Sequence, residues 1–407
     1  MTVNKENVMF ILKKIGCRAF QLAFRAALPF LPYREPKVLN SCENLGDVLE
    51  DEGARSALIV TDAGIVKNQL LLPLLDVLKR NKINYVIYDK TQPNPTVDNV
   101  EEALALYNQS ACNVLIAIGG GSSIDCAKAL GARVVYPKRT VRQLGGKLKI
   151  WRRLPTFVAI PTTAGTGSEV TLAAVVSEPK KHSKYALMSF PLIPHYAVLD
   201  ATLTYSLPPQ LTATTGMDAL THAVEAYIGR STTKKTRALA IEATQMIFSN
   251  LEKAYRDGND RKARENMLIA SYKAGMAFSM SYVGYIHAIA HSLGGRYGIP
   301  HGLANAVIMP YVLEGYGKSA HKKLYRLGLA VGACTKEDSY EVGAKRFIDA
   351  IKDLNAKMNV PSKIKGIDKA DVPDMAKHAE REANPLYPVP RLMTDAELMD
   401  FFYKIAD

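Results

Sequence analysis

Three short apolar runs recur along the first third of the chain, Ala57-Leu58-Ile59-Val60, Tyr85-Val86-Ile87-Tyr88 and Val114-Leu115-Ile116-Ala117-Ile118, with longer amphipathic stretches between them. A strand that is apolar at successive positions must be covered on both faces, so this alternation predicts a parallel sheet between layers of helices. Phe157-Val158-Ala159-Ile160 and Ala197-Val198-Leu199 extend the pattern. Leu172 to Ser177 and Tyr185 to Ser189 flank the charged stretch Glu178-Pro179-Lys180-Lys181, which predicts a hairpin. After Pro208-Pro209 the 3.6-residue period takes over, in segments beginning near Asp218, Thr233, Ala263, Gly284 and Ala304, so the second half is expected to be helical. At 407 residues one core is too few. The expected division is an N-terminal extension at 1–36, an α/β domain at 37–206 and an all-α domain at 207–407.

With 48% hydrophobic and 22% charged residues, the chain has the composition of an ordinary globular protein. Its net charge of +13 favours anionic ligands such as nucleotides. No motif of nucleic-acid recognition accompanies the charge, so no nucleic-acid partner is expected. Cys17, Cys42, Cys112, Cys126 and Cys334 are scattered and form no CxxC pair, which fits a reducing cytoplasm. No apolar run reaches the roughly 18 to 20 residues that span a bilayer, and no export signal is evident. In the extension, Lys14, Arg18 and Arg25 share one helical face, while Leu12, Ile15, Ala19, Leu22, Ala23 and Ala26 cover the other. Such a basic amphipathic helix can dock on a membrane surface or a partner, but packing on its own domain or another subunit is the commoner use.

Gly119-Gly120-Gly121-Ser122-Ser123-Ile124-Asp125 follows an apolar strand directly and opens a helix. Free N–H groups and the helix dipole there favour an anion, and glycines allow a pyrophosphate to approach. A plain tight turn has the same look, and the spacing is not GxGxxG. Pro161-Thr162-Thr163-Ala164-Gly165-Thr166-Gly167-Ser168-Glu169 is a second loop after a strand, and two such loops at the carboxyl ends of parallel strands point to a nucleotide site. Asp62 can accept from a ribose and repel the extra phosphate of NADP, or it can simply cap the next helix. Asn94, between Pro93 and Pro95, is either a nucleotide contact or a turn residue.

Asp218 and His222 stand four apart, so on a helix both project to one point. Taken alone, such a pair is more often an ion pair or an N-terminal aspartate with a buried histidine. Only eight histidines are present, yet His287, His291 and His301 fall within fifteen positions of apolar sequence, where a metal would offset the cost of burying them. Three imidazoles with one carboxylate suit Fe²⁺ or Zn²⁺ better than Mg²⁺ or Ca²⁺.

These motifs, in this order and spacing, resemble the iron-containing (group III) alcohol dehydrogenases from Lys37 to the C-terminus. The resemblance implies a Rossmann-like dinucleotide-binding domain, an all-helical metal-binding domain, and an active-site cleft between them. It puts the metal ligands on Asp218, His222, His287 and His301, and the NAD contacts on Asp62, Asn94, Gly120, Gly121, Ser122, Thr162, Thr163, Thr171 and Lys184. His291 matches the unliganded histidine near the reacting carbon. Two places depart from the family pattern: Met280-Ser281-Tyr282 stands where Asn-Ala-Gly is common, and Ser292 replaces a frequent proline. Tyr282 and Tyr285, near His287, suggest a narrow pocket for a short primary alcohol or small diol.

The mechanism this implies has the cation polarise the alcohol hydroxyl while its carbon gives hydride to NAD⁺, with His291 relaying the proton or positioning water. The reverse reaction reduces an aldehyde. The family also implies a homo-oligomer. A lyase or cyclase of the dehydroquinate-synthase type is the rival enzyme, distinguished by net NADH formation. A metal-stabilised scaffold is the rival outside catalysis, although a scaffold needs no open coordination position.

Overall fold

The computed structural model describes residues 5–179 and 183–407. The chain divides into two compact units, one of Pro32–Pro208 with Gly258–Gly275, the other of the residues up to Leu31 with Pro209–Asp257 and Met276–Asp407.

In the first unit the described strands are β1 (Lys37–Leu39), β2 (Ser56–Val60), β3 (Asn84–Tyr88), β4 (Val114–Gly119), β5 (Gly146–Lys147), β6 (Thr156–Pro161), β7 (Ala173–Glu178), β8 (Ser183–Met188) and β9 (Tyr196–Val198). Six of them form one sheet in the order β1-β9-β6-β4-β2-β3, and every pair in it is parallel. Successive residues feed opposite cores, as the apolar runs require. Leu58, Val60, Leu115, Ala117 and Phe157 meet Val100, Ile124 and Leu130 on one face. Ala57, Ile59, Ile116, Ile118 and Ile160 meet Leu45, Leu49, Leu74 and Leu78 on the other. Each buried valine, leucine, isoleucine or phenylalanine among these contributes on the order of 1.5–3 kcal/mol, the alanines less. From β2 the chain steps outward to β3 and then returns to place β4 on the other side of β2, which makes the β2/β4 boundary the switch point where parallel sheets hold ligands.

The two arms of the expected hairpin pair antiparallel, from Ala173 opposite Met188 to Glu178 opposite Ser183. Lys180 and Lys181 of its turn lie outside the described residues. Strand β1 carries no apolar run because it is a three-residue edge strand with only Leu39 partly covered.

The second unit is built of helices. Of the five that the periodicity anticipated, four start close to the expected positions: Lys234–Arg256, Arg261–Ser281, Tyr285–Tyr297 and His301–Tyr316. The Arg261–Ser281 helix belongs to the sheet-bearing unit through Gly275 and to the helical unit from Met276. The fifth starts at Pro209 rather than near Asp218, since proline suits a first helical turn, where its missing N–H is not needed. From Gly216 to Ile228 every residue of this helix is buried, as befits the central member of a bundle.

The N-terminal helix, Lys5–Ala27, packs on this unit with its polar side inward. Arg18 donates to the Val389 and Pro390 carbonyls, Gln21 donates to those of Pro385 and Tyr387, and Lys13 pairs with Glu380. Cys17 and Gln21 are buried, whereas Ile11, Leu12, Ile15 and Leu22 are exposed. The apolar face that the wheel predicts is therefore the outer one.

Candidate metal and nucleotide sites

The helical unit brings Asp218, His222 and His287 together. One donor atom from each lies within 4.8 Å of the other two, and all three residues are buried. Asp218 and His222 project from one face of the Pro209–Ile228 helix because they are one turn apart. His287 enters from the Tyr285–Tyr297 helix, its Nε2 3.8 Å from Asp218 Oδ1. His301, at the start of the next helix, places its Nε2 3.5 Å from the same oxygen. Donors around a tetrahedral cation with bonds of about 2.1 Å stand roughly 3.4 Å apart, so these separations fit a cation.

Chemistry agrees with geometry. Burial, reinforced by His222, His301 and His291, pushes His287 well below the ordinary histidine range, which keeps it neutral as a metal ligand must be. Its Nδ1 lies 2.6 Å from Glu225 Oε2, while its Nε2, fully buried, has no hydrogen-bond partner. Glu225 also accepts from the Gly284 and Ile286 amides at 2.8 and 2.9 Å. Burial pushes Glu225 up to about 8 against the pull of these hydrogen bonds; in its ionised form it accepts Nδ1–H and fixes the tautomer whose Nε2 lone pair is open. His222 is held between Phe278, 4.1 Å away, and the His287 ring, 4.5 Å away, both near parallel. Asn305 donates to Asp218 Oδ1 at 2.7 Å and sits 3.1 Å from His301 Nε2.

His291 lies beside this cluster. Its ring stacks on His301 at 5.1 Å, and its Nδ1 is 2.6 Å from Glu382 Oε1, which also accepts from the Tyr387 hydroxyl at 2.7 Å. Burial pushes Glu382 up, but His291 and Tyr387 more than offset it and hold the group below its ordinary value. At 37% side-chain exposure, His291 meets solvent on one side and a carboxylate on the other. Tyr285 is not part of any opening: it is fully buried, with its hydroxyl near Asn384 and the Met393 amide, so the narrowness inferred from it does not hold. Tyr282 occupies the left-handed region, with φ of 60°, and its ring meets Phe24 of the N-terminal helix edge-on at 5.1 Å.

Sequence reasoning missed Glu225, Asn305, Phe278 and Glu382. Glu225 had a signal, since it continues the Asp218 and His222 face at the next turn. Asn305 stands one turn after His301. For Glu382 the sequence offers no periodic relation to His291.

In the sheet-bearing unit six of the predicted nucleotide residues, Asp62, Gly120, Gly121, Ser122, Thr162 and Thr163, follow the carboxyl ends of β2, β4 and β6. Asp62 follows β2 and caps the Ala63–Lys67 helix, its Oδ1 accepting from the Gly64 and Ile65 amides, while Oδ2 lies 3.5 Å from Ser123 Oγ. The capping reading is thus correct, and one carboxylate oxygen still faces the glycine turn. Gly120 caps the Gly121–Val135 helix with no side-chain hydrogen bond. A Cβ on Gly121 would lie 2.8 Å from Thr166 Cγ2, and Gly119, with φ of 149°, would meet Ser123. Glycine is thus required at Gly119 by its φ and favoured at Gly121 by the close Thr166 side chain. Thr162 donates its amide to the Gly119 carbonyl at 3.0 Å, and Thr163 borders Gly120.

Asn94, also left-handed with φ of 58°, accepts from Lys184 Nζ on its side-chain oxygen at 2.9 Å and donates its backbone N–H to Ser122 Oγ at 3.3 Å. Thr171 is buried and its hydroxyl lies 2.8 Å from Lys128 Nζ. That buried ammonium also donates to Ser168 Oγ and to the Thr171 and Ala173 carbonyls, so it holds in place the segment that follows the second loop.

Against known proteins, residues 39–201 match the sequence profile described as iron-containing alcohol dehydrogenase, and residues 212–406 match that of the C-terminal part of the Fe-containing alcohol dehydrogenase family. Alcohol dehydrogenase 4 of Saccharomyces cerevisiae is 39% identical over 345 residues, 84% of this chain and 88% of the relative. The crystal structure of a 1,3-propanediol oxidoreductase superposes with a TM-score of 0.88 at 34% identity, covering 92% of this chain and 99% of that one. A sulfoacetaldehyde reductase from Bifidobacterium kashiwanohense, solved in complex with NAD⁺, gives 0.82 at 26% identity, over 92% and 98% of the two chains. None of this favours a lyase or a scaffold. With both halves matched and the sheet and helices in family order, the chain belongs to the iron-containing alcohol dehydrogenases and is an oxidoreductase of alcohols.

Proposed function

We propose that the protein moves hydride between NAD and a small primary alcohol or diol, or the corresponding aldehyde, with one divalent cation held by Asp218, His222, His287 and His301. The observation that carries this is the buried His287 Nε2, which has no hydrogen-bond partner while Glu225 engages Nδ1. When bound, the cation supplies a Lewis acid that lowers the pKa of the alcohol hydroxyl, and NAD⁺ supplies the hydride acceptor. The donor set suits Fe²⁺, the family's metal, and also Zn²⁺.

The chain's own groups do the rest. Glu225 and Asn305 orient His287 and Asp218. His291, half-exposed and paired with Glu382, can take the proton released by the hydroxyl and pass it to solvent. Gly120, Gly121 and Ser122 offer uncapped amides to the pyrophosphate. Asp62 accepts from the ribose, and Asn94, Thr162, Thr163, Thr171 and Lys184 complete the dinucleotide contacts. The five unpaired, buried cysteines support a reducing, cytoplasmic setting, and the family supports a homo-oligomer. Among the described residues no helix is long and apolar enough to cross a membrane.

Metal analysis of the purified chain tests the assignment. One equivalent of cation per chain, retained on dialysis and lost in Asp218→Ala and His222→Ala, is expected. Undiminished metal in either variant would remove these residues as ligands.

A further inference from the structure

The N-terminal helix presents to the outside the face that should be hidden. Ile11, Leu12, Ile15 and Leu22 are 53, 63, 61 and 67% exposed, and at 100° per residue they fall on one stripe together with Ala19, Ala23 and Ala26. Phe30, just beyond the helix, is 87% exposed. The helix is not loosely attached, because Arg18 and Gln21 fasten its other side to four backbone carbonyls. An apolar stripe held outward by polar anchors is the arrangement of a surface that is covered by something else.

A second feature adjoins it. Arg25, one turn beyond Leu22, lines a cavity of about 270 Å³ together with Ile228, Arg230, Ser319, Lys323 and Pro390. No acidic residue is among these. Lys323 Nζ donates to the Ile228 and Gly229 carbonyls, and burial together with Arg237, Arg230, Arg25 and Arg326 pushes it down to about 8. Between Ile11 and Ala27 the helix itself has no aspartate or glutamate, and Lys14 flanks the stripe on the same side as Arg25. Arg25, Arg230 and Lys323 thus line one cavity with no acidic residue among its lining, a charge cost that an anion would relieve.

We propose that this face binds an anionic phospholipid surface, with the Ile11, Leu12, Ile15 and Leu22 stripe entering the headgroup boundary and a lipid phosphate seated between Arg25, Arg230 and Lys323. A bilayer with acidic headgroups satisfies both features at once, since interfacial helices gain from apolar burial and from charge attraction together. A second copy of the chain satisfies only the first: a two-fold contact through the stripe would set this cation cluster against its own copy. The placement is independent of the proposed hydride chemistry.

The test is sedimentation of the full chain with vesicles of phosphatidylglycerol and phosphatidylcholine, against vesicles of phosphatidylcholine alone, in low and high salt. Binding to the first and not the second, weakened by salt, is expected. Ile15→Glu/Leu22→Glu should abolish it. Arg25→Glu/Arg230→Glu should weaken it more than tenfold, as each lost cation near such a surface is worth about fivefold. Dehydrogenase turnover in solution should stay unchanged in both variants, which confirms that they fold. Absence of binding to anionic vesicles, equal binding to both vesicle types, or full binding by the arginine variant would each overturn the proposal. So would a change in subunit number in Ile15→Glu/Leu22→Glu with vesicle binding intact, which would make the stripe a contact between copies.

Discussion

Replacing Glu225 with glutamine isolates its effect on the metal ligand His287. The side chain keeps its size, but one carboxylate oxygen becomes an NH₂. Oε2 now accepts from Gly284 N and lies against His287 Nδ1, while Oε1 accepts from Ile286 N. Whichever way the new amide turns, its NH₂ meets a backbone N–H that formerly donated to oxygen, leaving a buried donor unmatched at about 1–3 kcal/mol. If the NH₂ takes the Oε2 place, it can be satisfied only by His287 Nδ1 acting as acceptor. The ring proton then moves to Nε2, the atom that should face the cation. Loss of such a supporting carboxylate typically costs 10- to 100-fold in metal affinity, or about 1.4–2.7 kcal/mol. Zn²⁺ affinity measured by competition with a chromophoric chelator should therefore fall by one to two orders of magnitude in Glu225→Gln, with a lower melting temperature of the metal-free protein. Affinity within twofold of the parent would refute the claim that Glu225 sets the tautomer of a ligand.

Substitutions at three other positions separate readings that the structure superimposes. Asp62→Ser keeps the helix cap and removes the charge, so stability should hold within about 0.5 kcal/mol while turnover with NADP rises; Asp62→Ala should show the same cofactor change and lose about 1 kcal/mol in urea unfolding. Glu169 is buried, one of its oxygens has no hydrogen-bond partner, and burial pushes its carboxyl up to about 7 from 4.5. The folded state thus binds the proton more tightly, and the stability this supplies is fully present below pH 4.5 and lost as pH rises through 7, by up to about 3 kcal/mol. Urea titrations across that window should show the decline, and Glu169→Gln should flatten it. Tyr282→Gly relieves a left-handed residue by about 1 kcal/mol but deletes a ring packed on Phe24 and Tyr387, a loss of about 3 kcal/mol or more, so a net fall in melting temperature is expected.

Much of the fold was legible because burial on both faces writes itself as continuous apolar runs, as in β2 and β4. Edge strand β1 was silent because an exposed three-residue strand needs no apolar run. The candidate ligands on one helix, Asp218 and His222, are visible as a four-residue spacing, and Glu225 continues it. Glu382 is brought to His291 by tertiary packing across ninety-one positions, which no local pattern encodes. The N-terminal helix teaches the same limit differently: its amphipathic wheel is correct, but the side that docks is chosen by Arg18 and Gln21 reaching carbonyls more than 360 positions away. Of the two commoner uses that the sequence left open, packing on its own domain or on another subunit, the polar side takes the first.

The most direct measurement is NADH formation, followed by absorbance, from metal-stripped protein reloaded separately with Fe²⁺ and Zn²⁺ and offered a panel of small primary alcohols and diols. Turnover that appears only with metal, and that aldehydes with NADH reproduce in reverse, is the expected result. Tight binding of both NAD and metal with no hydride transfer to or from any member of the panel would contradict it.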